Sequence, residues 1–230
     1  MAWAKTVPHT LRNPLYHWTH LELKRYFGID QLLDESTAAR IWNQANEQLA
    51  TPAFSTQGIL QKFNVSALCT TDDPTDDLRY HESLAASPCA TKVHPAYRPD
   101  KALAVHQPEA FNAWVDKLEV ASNVDINNLT SFLKALKLRH TFFHERGCRL
   151  SDHGLNHCSA EFCSEKVAAA IFAKARKGKP VSPLEHAQFS AFLMVYFGHL
   201  DAERGWVKQL HLGALRNNNT RLLKQLGPDT

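Results

Sequence analysis

Two periods organise the apolar positions of this chain. Over residues 17–27, Trp18, Leu21 and Leu23 stand among charges and Gly28 follows, a pattern that predicts a helix with a left-handed stop. Ser36 or Thr37 then starts a second helix, with Ile41, Ala45 and Leu49 on one face. The stripe Ile126, Leu129, Phe132, Leu133, Leu136, His140 and Phe143 predicts a long helix from Asp125, closed by Gly147. Residues 159–177 read as a helix whose basic end suits the negative pole of its dipole. Ser182-Pro183-Leu184-Glu185 is a capping box with proline at its first helical position. It opens a helix rich in Phe189, Phe192, Leu193, Val195 and Phe197 that runs toward Gly205, and residues 220–226 start one more.

Between these helices lie four short apolar runs, each ending in polar groups. Residues 65–70 run into Thr71-Asp72-Asp73-Pro74, where Pro74 is placed to open a helix; one aspartate would cap it and the other is open to a substrate or metal role. Residues 91–95 run into Tyr97-Arg98 between two prolines, so Arg98 either forks onto a carboxylate or pairs with Asp100 on the surface. Residues 148–154 end in Asp152 and His153, an acid beside an imidazole. Residues 206–211 end in His211, with Arg216, Asn217, Asn218 and Asn219 beyond it. Four strand-then-helix units make the chain α/β, as part of a (β/α) barrel or an open parallel sheet. Residues 1–62 read as a helical segment and residues 63–230 as the α/β part.

Composition narrows the functional classes. At 230 residues, 44% hydrophobic and 21% charged, the chain can bury a core as one large domain or two small ones. A net charge of +3 with the two signs interspersed gives no footprint for nucleic acid or an anionic membrane. Five cysteines without C-x-x-C spacing read as reduced thiols of a cytoplasmic protein, and no run of about 18 apolar residues suggests a membrane span. Thirteen histidines include the spacings His17/His20, His140/His144 and His153/His157, which suit a metal pair and equally the face of an amphipathic helix. Dinucleotide-binding, P-loop and serine-hydrolase signatures do not occur.

Five ordered blocks resemble the uronate (glucuronate) isomerase family of the amidohydrolase superfamily. They are residues 13–23, 70–74, 97–101, 147–153 and 205–219, the last continuing to 226–229. The resemblance implies a distorted (β/α)8 TIM-type barrel, of which about four βα units lie in this chain, preceded by a helical segment that covers the barrel. It implies exchange of D-glucuronate with D-fructuronate, and of D-galacturonate with D-tagaturonate. The proton would move between C2 and C1 through a cis-enediol beside a divalent metal, zinc by family expectation. Arg98 would pair with the uronate carboxylate and His211 would bond a sugar hydroxyl. His211, Asp152 and His153 are the catalytic candidates; Arg98, Arg216, Asn217, Asp72 and Asp73 are the substrate-binding ones; His153 is the candidate metal ligand.

The family's first strand bears an H-x-H metal motif and its last strand a ligand aspartate, and neither pattern is found here. The chain is therefore expected to be an internal half of such an enzyme, inactive as written, and to associate through unpaired strand edges as a homo-oligomer. Its partners are expected to be a hexuronate and no nucleic acid or membrane. The competing readings are a metal-dependent hydrolase of the same superfamily and a non-catalytic half-barrel binding protein.

Overall fold

The computed structural model describes residues 1–155, 158–211 and 217–228. They form two compact units, residues 1–66 with 89–91 and residues 67–88 with 92–230.

The first unit is helical: α1 (Ala2–Thr6), α2 (Pro14–Phe27), α3 (Ala38–Leu49) and α4 (Thr56–Lys62). Helix α2 starts three residues earlier than its apolar stripe suggests, because the Asn13 side chain accepts from Leu15 N at 3.0 Å and Pro14 takes the first helical position. Gly28 ends it at φ +67, returning its N–H to Leu23 and Lys24. His20 is a brace between backbone groups. Leu33 N donates to its Nε2 at 2.9 Å, so Nδ1 carries the proton 2.7 Å from the Tyr16 carbonyl. Both ring nitrogens of His20 are thus occupied by main-chain groups, while His17 is exposed.

The second unit contains β1 (Ala67–Cys69), α5 (Arg79–Ala85), β2 (Lys92–His94), α6 (Pro108–Ser122), α7 (Leu129–Glu145), β3 (Leu150–Gly154), α8 (Glu165–Arg176), α9 (Pro183–Glu203), β4 (Val207–His211) and α10 (Thr220–Leu226). All four strands lie where the apolar runs place them. Three boundaries differ from the sequence expectation. Pro74 opens a turn instead of a helix; α5 waits for Arg79 after Leu78 takes the left-handed conformation at φ +57. Helix α7 starts at Leu129 because Asn128 and Ser131 close a capping box, leaving Ile126 ahead of the helix but still buried. Helix α8 starts at Glu165, where Ser164 accepts from Val167 N. Helix α6 lay outside the expected elements; Phe111, Trp114, Val115 and Leu118 are its buried stripe.

Strands β1 and β2 pair in parallel, as do β3 and β4. Tyr97 joins the two pairs. Asp72 and Tyr97 bridge in parallel, and so do Tyr97 and Ser151. Tyr97 N donates to Leu150 O at 3.2 Å, Asp152 N to Tyr97 O at 2.9 Å, and Arg98 N to Asp72 O at 2.9 Å. Among the described residues β1 and β4 each pair on one side only. This is an α/β fold of helices around short parallel strands.

The Tyr97 side chain anchors the junction in the helical layer. It is fully buried, meets Phe143, His140, Phe197 and Trp206 edge-on, and donates its hydroxyl to Leu136 O at 3.2 Å. Burial raises its hydroxyl pKa well above the ordinary tyrosine value, so it stays a donor at any accessible pH. Tyr97→Ala is expected to cost about 4 kcal/mol through the cavity it leaves, and Tyr97→Phe about 1 kcal/mol for the lost hydrogen bond. Urea unfolding checks both, and equal costs would contradict the packing role.

Candidate functional site

Side chains alternate across a strand, so in-register neighbours share a face. Ser151 lies opposite Lys208, Asp152 opposite Gln209, and Gly154 opposite His211. Ser151, His153 and Lys208 therefore point into the layer of α9, while Asp152, Gln209 and His211 point to the other, open face. Asp72 bridges Tyr97 and shares its covered side; Thr71 belongs to the open side.

On the open face, Arg98 Nη2 lies 2.8 Å from Asp152 Oδ2, which Thr71 Oγ1 reaches at 3.5 Å. His211 Nε2 lies 2.9 Å from Asp152 Oδ1 without the alignment of a hydrogen bond, so that oxygen has no donor among the described residues. Arg98 Nε is likewise buried without an acceptor; Asp100 Oδ2, at 3.9 Å, is too far to take its proton. The salt bridge itself cannot satisfy these two atoms. Asp152 is 6% exposed at its side chain and His211 50%, so the arginine and carboxylate form a floor with the imidazole at its rim. Gly154 keeps the floor tight: a Cβ there would meet Asp100 Oδ2 at 3.4 Å and Arg98 Nη2 at 3.7 Å.

The covered face holds a second polar set. Ser151 Oγ donates to Asp201 Oδ2 at 2.7 Å, Lys208 Nζ lies 2.7 Å from the same oxygen, and His140 Nε2 lies 3.2 Å from Oδ1. Lys208 Nζ also reaches His153 Nε2 at 3.1 Å. Lysine only donates, so that nitrogen accepts and Nδ1–H faces Asp100 Oδ1 at 3.3 Å. Asp100 Oδ2 accepts from Gly154 N at 2.8 Å, which fixes the end of β3.

The expected acid–imidazole pair is therefore rearranged. The period of two sends Asp152 and His153 to opposite faces, so the imidazole facing Asp152 is His211 and the carboxylate facing His153 is Asp100. His153 is fully buried with both ring nitrogens occupied, which leaves it no lone pair for a metal ion. His140 and His144 are not a metal pair either. His140 stacks on Trp206 at 3.8 Å between ring centroids, and His144 Nδ1 accepts from Trp206 Nε1 at 3.0 Å. Among the described residues no three histidine, cysteine, aspartate or glutamate side chains converge on a metal position.

Neither aspartate after β1 caps a helix. Asp72 Oδ2 accepts from Thr70 Oγ1 at 2.6 Å and Ala96 N at 3.1 Å. Asp73 accepts from Thr75 N at 3.0 Å, Trp114 Nε1 at 2.9 Å and Lys101 Nζ at 3.0 Å. Burial alone would push Asp73 up, but these bonds outweigh it and hold the carboxyl below its ordinary range. Asn217 is described, at φ +61. Arg216 and His157 lie outside the described residues. The alternative pairing of Arg98 with Asp100 alone gives way to the closer Asp152 contact.

The strand ends of this α/β chain gather an arginine, a carboxylate and an imidazole, residue types whose chemistry suits a small polar acid. The family model described as glucuronate isomerase matches residues 1–230, and the chain belongs to that family. It is 63% identical over 230 residues to the uronate isomerase of Solibacter usitatus, covering all of this chain and 49% of that relative. It is 54% identical over 229 residues to that of Opitutus terrae, covering 48% of the relative. Among solved structures, uronate isomerase from Thermotoga maritima superposes with a TM-score of 0.90 at 38% identity, over 98% of this chain and 49% of that one. Glucuronate isomerase from Caulobacter crescentus gives 0.88 at 28% identity, over 98% and 47%. The chain spans about half the length of the curated relatives it matches.

Asp201, which ties the strands to α9, sets an acid limit on the site. Burial raises its pKa, but hydrogen bonds from His140, Lys208 and Ser151 outweigh that effect and the carboxyl lies below its ordinary value. A lowered folded pKa stabilises the fold above the unfolded value near ~4, and this stabilisation disappears as pH falls through the folded value. Asp201→Asn is expected to lose about 3 kcal/mol at neutral pH and to show a shallower stability loss below about pH 4 than the parent. Urea unfolding across that range checks this; an unchanged acid limb would contradict it.

Proposed function

We propose that this chain supplies the uronate-holding strands of an isomerase that interconverts D-glucuronate and D-fructuronate, and D-galacturonate and D-tagaturonate. Membership of the family supports the reading, and one observation carries it: the paired Arg98 and Asp152 each keep a buried atom unsatisfied, Nε–H on one and Oδ1 on the other. A donor and an acceptor left open side by side match a hexuronate, whose carboxylate would take the Arg98 N–H while a hydroxyl donates to Asp152. His211 at the rim would bond a further hydroxyl, and Arg216 and Asn217 are further substrate-binding candidates by resemblance.

Aldose–ketose exchange breaks C2–H and forms C1–H, while O1 gains a proton and O2 loses one through a cis-enediol. Asp152 Oδ1 and the rim imidazole of His211 are suited to act on the hydroxyl protons each through its own bond to a sugar hydroxyl, since their mutual 2.9 Å approach lacks hydrogen-bond alignment. His153, Asp100 and Lys208 position the floor from behind. Asp72 and Asp73 shape the β1 rim, with Asp72 Oδ2 and both Asp73 oxygens already engaged by the protein. The family's divalent metal, zinc by resemblance, would polarise the adjacent sugar oxygens. The described residues do not fit it on their own.

The four strands would then be part of a (β/α) barrel. No described helix is long and apolar enough to cross a membrane; the five cysteines, without C-x-x-C spacing, favour a cytoplasmic setting. The open edges of β1 and β4 favour self-association, and the chain alone is proposed to leave uronates unconverted.

Calorimetric titration with D-glucuronate is the test. Arg98→Met is expected to weaken binding by at least about tenfold, since it removes a charge-assisted fork, and His211→Ala by less. NMR of the same mixture is expected to show no ketose. Equal affinity of parent and Arg98→Met would overturn the reading.

A further inference from the structure

A groove of about 890 Å³ lies away from the open sheet face, lined by the turn after β1 and by α5, α6 and α7. At its base Arg139 is 94% buried, its exposure being 6%. It donates Nε to Pro74 O at 2.7 Å, Nη1 to Ala121 O at 2.9 Å and Nη2 to Asp76 O at 2.7 Å. Three of a guanidinium's five N–H bonds are thus used, all on main-chain carbonyls, and no carboxylate accepts from it. Phe142 lies between two guanidinium groups, with Arg139 Cζ 3.8 Å and Arg146 Cζ 3.4 Å from the ring centroid.

The groove's charges do not balance. Each of its carboxylates already has an arginine: Asp77 with Arg79 at 3.8 Å, Glu82 with Arg146 at 2.7 Å, and Asp116 with Arg176 at 3.2 Å. Arg139 and the exposed Lys117 form no salt bridge among the described residues, although Asp76 and Asp77 lie near enough to act on the Arg139 charge. A buried guanidinium bonded only to main-chain carbonyls, at the base of a groove, gains from an anion that takes its remaining N–H groups.

We propose that this groove binds a phosphate group, free or carried by a small phosphorylated metabolite, with Arg139 at the base and Lys117 at the lip. A phosphate suits a lining of four cations (Arg79, Lys117, Arg139, Arg146) against three carboxylates (Asp77, Glu82, Asp116), and Arg79 and Arg146 can turn toward it because their own partners are largely exposed. Val120, 84% exposed beside Lys117, offers apolar contact for the ester part of such a ligand. Because Arg139 holds the Pro74 to Asp76 turn, which directly follows Asp72 and Asp73, an occupied groove stiffens the rim of the strand-end face.

The test is 31P NMR of inorganic phosphate, and separately of glucose 6-phosphate, titrated with the chain at constant ionic strength. Saturable line broadening is expected for at least one of them; tighter binding of the ester identifies a metabolite site, and tighter binding of inorganic phosphate an ion site. Lys117→Glu, at an exposed position without a partner, leaves the fold intact and is expected to weaken binding by about fivefold or more, a charge reversal at the lip. Arg139→Met is expected to abolish binding. No saturable broadening of either probe in the parent, or unchanged affinity in Lys117→Glu, would overturn the proposal whether or not Arg139→Met folds.

Discussion

The main-chain bonds on both sides of Tyr97 are the constraint on which the rest of this structure depends. Parallel strands need evenly spaced pairing and a covered face, and two pairs as short as these would not hold their ends in line unaided. Tyr97 bridges Asp72 on one side and Ser151 on the other while its ring is locked among Phe143, His140, Phe197 and Trp206. The next residue is Arg98. With Tyr97 fixed in the helical layer, alternation turns Arg98 to the open face and sets it against Asp152.

The same alternation divides the polar groups by task. One face has a closed network in which Asp201 meets Ser151, Lys208 and His140, with every strong donor matched. Such a network costs desolvation but fixes geometry, because any shift strands a buried charge. The other face has unfinished bonding at Arg98 and Asp152. Rigidity behind and unsatisfied groups in front is the arrangement a small-ligand site needs.

Much of this was legible in the residues. Caps and apolar stripes located the helices at Ser182 and Thr220, and the four apolar runs are the four strands. What misled was local punctuation: Pro74 opens a turn because Asp73 bonds Thr75 N, and Leu78 adopts a conformation that no residue pattern marks. Helix α6 escaped although Phe111, Trp114, Val115 and Leu118 carry the helical period. Arg98, Asp152 and His211 come together as a set, whereas His153 parts from Asp152 because neighbouring strand residues face opposite ways. Asp201 was the missed residue. Its signal was a carboxylate four positions beyond Phe197 on the buried stripe of α9, where a charge must have a partner. Asp100 as the partner of His153 depends on a contact 53 residues apart, which spacing alone does not reveal.

The central claim is that the open donor of Arg98 and the open acceptor of Asp152 await a sugar acid. A crystal structure of the chain with D-glucuronate tests this most directly. The account expects the ligand carboxylate within hydrogen-bond distance of Arg98 Nε and a sugar hydroxyl on Asp152 Oδ1, with His153 still bonded to Asp100 and Lys208. A uronate bound elsewhere, or one lying over the strand ends with both atoms still unsatisfied, would contradict it.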